Sequence, residues 1–238
     1  MHRPSPRFHA MDSYSSYIPE LKSNGSVLLP PNLIFSAEEV ERLDAIQSSI
    51  PEEKVSNGDA DDNHDIYIRR IVTDNAGEFP KRVNQPFSDQ ILEILSDEKR
   101  RTLFAKIFDS TSEYFIRRCQ MNRLIEGSYV GLHLDAESNP DNEFSVIVQL
   151  GRYFQGGEFV IYPDDRDKQV FSPKHGTVLI TTCRFRHEVT KVLANERKSL
   201  VYFYSKHGGT NRRDPSARCS RPGCRWCGEH LRSLVDGG

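Results

Sequence analysis

The chain has 238 residues, 37% of them hydrophobic and 28% charged, with 32 Lys and Arg against 34 Asp and Glu for a formal charge of −2. That length buries a core without disulfide staples, the composition is not that of a disordered chain, and near-neutrality argues against a general electrostatic grip on nucleic acid. No apolar run of about 18 residues occurs, so no membrane-spanning helix is expected, and five cysteines, an odd count crowded toward Cys219–Cys227, point to a reducing, cytoplasmic setting rather than a disulfide framework.

Residues 1–25 are rich in Ser, Pro, Tyr and Arg without periodicity and read as a flexible N-terminal tail. They lack the apolar stretch of a secretory signal, and Met11 is an alternative start. A single domain is expected over 26–206, with helical support in 36–118 and a β core from about 119 to 206. Ser36 and Glu39 form a capping-box signature, opening a helix with Val40, Leu43 and Ile46 on one stripe and Pro51 as its stop. Residues 52–65 are acidic, contain Asn57-Gly58, and read as a solvated loop; His64–Thr73 reads as a strand. Pro86 to Arg118 reads as helical. Ser96 caps its long second part, and Leu103, Phe104, Ile107, Phe108, Tyr114 and Phe115 form the buried face.

After Arg118 the apolar period changes from about 3.6 to about 2. Short strand-like runs follow at Gln120–Ile125, Tyr129–Asp135, Phe144–Leu150, Glu158–Tyr162, Gln169–Phe171, Thr177–Thr182, His187–Val192 and Ser199–Ser205. Gly, Pro, Asn and Asp separate them. Strands that follow helices, rather than alternating with them, indicate a mainly β chain of the α+β class with a jelly-roll core. Residues 207–238 form an Arg- and Cys-rich C-terminal tail. There Cys219, Cys224, Cys227 and His230 could close a tetrahedral zinc site, although the spacing matches no standard finger and free thiols in a tail are the alternative.

The pair His133-x-Asp135 carries the chemistry. Side chains two apart on a strand share a face, so an imidazole and a carboxylate converge there while Leu132 and Leu134 face away. The tripeptide alone is not specific. A third ligand from another strand would complete a facial triad with open positions, the geometry of non-haem Fe(II) oxygenases; His187, at the start of a later strand, is the candidate. Arg197 and Ser199 open the last strand on one face, a guanidinium fork with a hydroxyl beside it, suited to a carboxylate. His175 sits in a turn, His64 and His207 near strand ends, and Cys119 and Cys183 read as small buried hydrophobes. Gly156-Gly157 is a strand-entry turn, since no helix follows to make a phosphate loop.

The ordered set Gly127-Ser-Tyr129-Val-Gly-Leu-His133-Leu-Asp135, Gly156-Gly157-Glu158-Phe159, Pro173-x-x-Gly176-Thr-Val-Leu-Ile, His187-Glu-Val and Glu196-Arg197-Lys-Ser199-Leu resembles the Fe(II)/2-oxoglutarate-dependent dioxygenase superfamily, in its prolyl-4-hydroxylase-like branch. The resemblance covers about Gln120 to Ser205 and implies a double-stranded β-helix. It implies Fe(II) held by His133, Asp135 and His187, and 2-oxoglutarate held by Arg197 and Ser199. O2 is the other reactant, and ascorbate a supporting reductant. Relatives often place a Tyr on the strand before His-x-Asp to meet the cosubstrate; here Asn122, Arg123 or Tyr129 is the candidate for that place. Related halogenases carry a small residue where this chain has Asp135, so the resemblance implies oxygen transfer to carbon, with desaturation and demethylation as variants of the same chemistry. The expected substrate is a free amino acid or other small metabolite. The alternatives are a peptidyl residue such as proline in a partner protein and a non-catalytic jelly-roll binding module; nucleic acid reached through the Arg-rich tail is disfavoured by the charge balance. Arg69, Arg70, Arg117, Arg118 and Arg123 are candidate grips for a substrate carboxylate.

Overall fold

The computed structural model describes residues 16–55, 66–164 and 166–214. In chain order the elements are α1 (Tyr17–Asn24), β1 (Ser26–Leu29), α2 (Ala37–Gln47), β2 (Glu53–Val55), β3 (Ile66–Thr73), β4 (Lys81–Arg82), α3 (Phe87–Leu95), α4 (Glu98–Ile107), β5 (Phe115–Leu124) and β6 (Val130–His133). There follow β7 (Phe144–Gln149), β8 (Phe154–Gly156), β9 (Phe159–Tyr162), β10 (Gln169–Phe171), β11 (Val178–Thr182), β12 (Arg186–Val189), β13 (Val192–Asn195) and β14 (Arg197–Ser205).

The strands form a large antiparallel sheet in the order β1-β11-β7-β14-β5-β3-β2, with β4 on β3. A smaller sheet runs β10-β9-β12-β6, and β13 pairs β8. This is the expected jelly roll. Strand alternation sorts the large sheet's side chains into two cores. Val146, Val148, Val178, Ile180, Leu200, Tyr202, Cys119 and Met121 pack with Leu21, Val40, Leu43, Ile91, Leu95 and Phe104 from the helices. The intervening residues, Ile147, Leu179 and Leu124, pack with Phe159, Ile161 and Val189 of the small sheet. Each fully buried Leu, Ile or Val contributes about 1.5–3 kcal/mol, so a one-residue slip of β7 or β14 would be strongly opposed.

The capping box forms as read: Ser36 Oγ accepts from Glu39 N at 3.1 Å, and Glu39 Oε2 accepts from Ser36 N at 2.9 Å. The Pro86–Arg118 reading is corrected. Ser96 ends α3 rather than opening a helix, and Asp97 caps α4, its Oδ1 accepting from Lys99 N and Arg100 N. The helix stops at Ile107, Asp109 turns the chain with φ +48°, and Phe115–Leu124 is a strand paired with both β14 and β3. Within 36–118 the large sheet takes the expected strand, as β3, and also β2, β4 and the start of β5, which were not expected to be strands. The segment expected to be an N-terminal tail holds α1, with Leu21 in the core. Among the described residues no helix is long and apolar enough to cross a membrane.

Candidate active site

The mouth between the two sheets is a cavity of about 140 Å³. His133 on β6 and His187 on β12 stand directly opposite each other in the small sheet. Leu134 remains extended, and Asp135 opens a 3-10 turn, Asp135–Glu137. The shared-face argument for the pair is thus corrected in its geometry: the carboxylate swings in from a turn, and Leu134 lines the cavity instead of facing away.

His133 Nε2 lies 3.4 Å from Asp135 Oδ1 and His187 Nε2 3.4 Å from Oδ2. One ligand atom from each of the three residues lies within 4.8 Å of the others, a group able to hold a metal ion. Each Nδ1 meets a backbone carbonyl, Gly131 O at 2.8 Å and Phe185 O at 3.1 Å. A carbonyl only accepts, so Nδ1 carries the proton and Nε2 turns its lone pair into the cluster. Phe159 stacks on the His187 ring, 5.0 Å between centroids and 23° between planes. Burial acts to raise the Asp135 carboxyl; in the metal-free site, when the imidazoles also carry a proton at Nε2, His187 and His133 outweigh burial and hold it well below the usual carboxylate range. Two imidazole nitrogens and an anionic oxygen on one side of a point leave its other side open to further ligands.

On β14, Arg197, Ser199, Val201 and Phe203 all face this cavity. Arg197 is 2% exposed, and its Nη1 donates to Ser199 Oγ at 3.4 Å. Its Nε and Nη2 are buried with no hydrogen-bond partner. Burial pushes its pKa down to about 10, so it stays a cation at neutral pH. A buried guanidinium with orphaned donors is costly by several kcal/mol unless an anion meets it. Gly157 makes room for it: with φ +67°, a Cβ there would lie 2.9 Å from Arg197 Cδ.

Asn122 pairs with Ser199 across the β5–β14 ladder and lines the cavity, its Oδ1 accepting from Gln120 Nε2 at 2.7 Å. Tyr129 and Arg123 are not among the lining residues; Arg123 faces the other side of β5, held by Glu52 and Glu196 at 2.6 Å and 3.2 Å. His175 is held in its turn by Leu150 O and Glu41, and His207 by Thr210 O. Cys119 and Cys183 are buried free thiols. The group Cys219, Cys224, Cys227 and His230, and His64, lie outside the described residues. Sequence reasoning missed the roles of Phe159 and Gln120. The period-2 pattern of their strands marked the inward face, but not its contact with His187 or the amide relay.

Residues 119–205 match the family model of the 2OG-Fe(II) oxygenase superfamily. No curated protein matches the chain. Among solved structures, an oxidoreductase of the 2OG-Fe(II) oxygenase family from Burkholderia pseudomallei is 52% identical, covering 85% of this chain and 96% of that one with a TM-score of 0.82. The chain belongs to the 2OG-Fe(II) oxygenase superfamily. This oxygenase is therefore an enzyme that uses Fe(II), 2-oxoglutarate and O2. Two more distant structures share its fold. A prolyl hydroxylase from Trichoplax adhaerens, in complex with a hypoxia inducible factor peptide fragment, is 17% identical over 86% of this chain and 93% of that one, with a TM-score of 0.55. The epimerase SnoN, in complex with Fe3+, alpha ketoglutarate and nogalamycin RO, is 13% identical over 81% and 83%, with a TM-score of 0.59. The oxygenase's own side chains fit these reactants: the His-Asp-His group suits a divalent iron, and the unpartnered donors of Arg197 suit a carboxylate of the cosubstrate.

Proposed function

We propose that the oxygenase hydroxylates an unactivated C–H bond of a free amino acid or other small metabolite. In this reading His133, Asp135 and His187 hold Fe(II), and Arg197 with Ser199 holds the far carboxylate of 2-oxoglutarate. The observation that carries it is the buried Arg197, with Nε and Nη2 unpartnered, on the wall of the cavity that also contains the His-Asp-His group.

The bound iron and cosubstrate supply the oxidising chemistry, which yields succinate and CO2 and transfers oxygen from O2 to carbon. The chain supplies position and environment. The Gly131 and Phe185 carbonyls fix both imidazoles in the tautomer that presents Nε2. Asp135, an anion throughout the neutral range, offsets part of the metal's charge. Asn122, opposite Ser199, replaces the tyrosine that the resemblance led one to expect as a cosubstrate contact. Ile66, Ile68, Ile147 and Val189 give the cavity apolar walls that exclude water and accept an aliphatic segment.

The test is succinate release with Fe(II) and 2-oxoglutarate under air, in parallel pools of free amino acids, small metabolites and peptides, with His133→Ala as the blank. Stimulation by a small-molecule pool, with one product gaining the mass of one oxygen, is the expected result. Stimulation by the peptide pool alone would replace it with a peptidyl hydroxylase. No stimulation in any pool, with iron and 2-oxoglutarate bound, would point to a binding module.

A further inference from the structure

Asn122 on β5 stands opposite Ser199 on β14, and both side chains line the cavity. An arginine on each strand engages an acceptor of this pair. On β14, Arg197 Nη1 donates to Ser199 Oγ at 3.4 Å. On β5 the contact runs through a glutamine: Arg118 Nε donates to Gln120 Oε1 at 3.0 Å, and Gln120 Nε2 donates to Asn122 Oδ1 at 2.7 Å. Strand alternation makes this possible. Residues 118, 120 and 122 share one face of β5, roughly 7 Å apart at each step, a gap that a glutamine amide bridges. Gln120 is 7% exposed, so little bulk water competes for its amide.

Chemistry fixes the sense of this relay. A guanidinium carries donors only, so Gln120 has to turn its oxygen to Arg118. Its NH2 group then faces Asn122, and Asn122 has to meet it with its own oxygen. The Asn122 Nδ2 is left over, with no hydrogen-bond partner among the described residues. Ser199 is in a similar state: its oxygen accepts from Arg197, and its hydroxyl hydrogen is free to donate. The pair therefore offers two neutral donors beside the Arg197 cation, its acceptors already engaged. Directly opposite side chains on one face of a sheet have Cβ atoms about 4.5–5.5 Å apart, so one carboxylate accepts from both.

We propose that Gln120 is a positioning residue for the cosubstrate: clamped by Arg118, it takes up the Asn122 oxygen and so makes Asn122 a hydrogen-bond donor to the 2-oxoglutarate carboxylate that Arg197 and Ser199 hold. This rests on the reading of Arg197 and Ser199 as the carboxylate site. Gln120 does not touch 2-oxoglutarate; it acts through Asn122. In Gln120→Glu the side chain keeps an oxygen for Arg118 but has only an oxygen to offer Asn122. Asn122 then turns its NH2 group to that oxygen and its Oδ1 to the cosubstrate, so that two acceptors face each other.

The experiment is a double-mutant cycle read by anaerobic calorimetry of 2-oxoglutarate into the Fe(II)-loaded protein. Gln120→Glu is expected to raise Kd about ten- to hundred-fold, the weight of a hydrogen bond to a charged group, with iron content unchanged. Asn122→Ala should weaken binding by a similar factor, and adding Gln120→Glu to it should change Kd less than about two-fold. That coupling separates positioning from a structural fault or from the added charge, since both of those persist without Asn122. Gln120→Met leaves Asn122 unclamped and is expected to raise Kd about three- to ten-fold; it takes the place of Gln120→Glu in the cycle if that variant does not fold. Wild-type affinity in the Gln120 variant, or an equal loss with and without Asn122, would overturn the assignment of Gln120. Arg197→Met is measured alongside. Weak binding there, beside a Gln120 variant of wild-type affinity, strikes the relay alone. Wild-type affinity in Arg197→Met removes the carboxylate site itself, and the Gln120 assignment falls with it.

Discussion

At Arg197 a full positive charge is buried with two donors unpartnered, and Gly157 is the residue that lets it lie there. Gly157→Ala is expected to destabilise the fold by about 1–3 kcal/mol, because its positive φ disfavours a side chain. It should also weaken 2-oxoglutarate binding by displacing Arg197 Cδ; thermal unfolding and calorimetry read the two effects separately. An alanine variant with unchanged 2-oxoglutarate affinity would show that the close approach has no bearing on the guanidinium. At this scale much of the site was legible, because ligand chemistry is written in side-chain identity and strand spacing. His133, Asp135, His187, Arg197, Ser199 and Asn122 all lie around one cavity. What was not legible is backbone-borne. The carbonyls of Gly131 and Phe185 orient the imidazoles, and any residue type could have supplied them.

Two polar assemblies tie the elements around the site, and each gives a measurement. Glu52 approaches Arg123 on β5, which also meets Glu196 at the entry to β14. The hydrogen bond from Arg123 is the largest influence holding Glu52 below its usual pKa. For Glu196, burial works upward, but the contacts with Lys198 and Arg123 together hold it low. A carboxylate whose pKa is lowered on folding contributes stability above its unfolded pKa and loses it as pH falls through the folded value. Urea unfolding from pH 6 downward should therefore show stability falling below about pH 4.3, with a shallower fall in Arg123→Met. An identical slope in the two proteins would exclude this triad as a source of the acid sensitivity.

The second assembly is buried. Asp74 binds Arg117 at 2.8 Å and accepts from Asn139 Nδ2 at 2.7 Å, while Asn211 Nδ2 donates to the carbonyls of Asp74 and Ser138. It braces the chain that follows Asp135. Asp74→Ala leaves Arg117 charged and unpaired, an expected cost of about 3–5 kcal/mol readable as a fall in the urea midpoint. A change of less than about 1 kcal/mol would mean that Arg117 finds another anion. The element that sequence reading missed, the start of β5, has a physical explanation. Tyr114 does pack on Phe108, ring centroids 5.0 Å apart, and on Phe144 and Tyr204 as well. Its helical spacing from Phe108 was real proximity, but the contact is made by a chain that has turned back at Asp109 without a glycine to mark the turn. The strands β8 and β13, 3 and 4 residues long, were missed as well; they pair with each other outside the two main sheets.

Across the whole molecule the helices cover one face of the large sheet, and the other face holds the cavity against the small sheet. Residues that alternate along β5 and β14 therefore divide their work: one set builds the core, the next set builds the site. The jelly roll was legible from the succession of short strands, since period and turn residues are local signals. The pairing of β1 with β11 and of β3 with β5 was not, because partners more than a hundred or about fifty positions apart leave no local trace.

The central claim is that the His-Asp-His group and Arg197 act as one site for iron and 2-oxoglutarate. Anaerobic calorimetry of 2-oxoglutarate into the Fe(II)-loaded protein tests it most directly. The expected result is a single binding site per chain. In Arg197→Met affinity should fall by about 2–5 kcal/mol, roughly 30-fold or more in Kd, with iron content unchanged, and His187→Ala should lose the iron. Wild-type affinity for 2-oxoglutarate in Arg197→Met, or full iron content in His187→Ala, would contradict it.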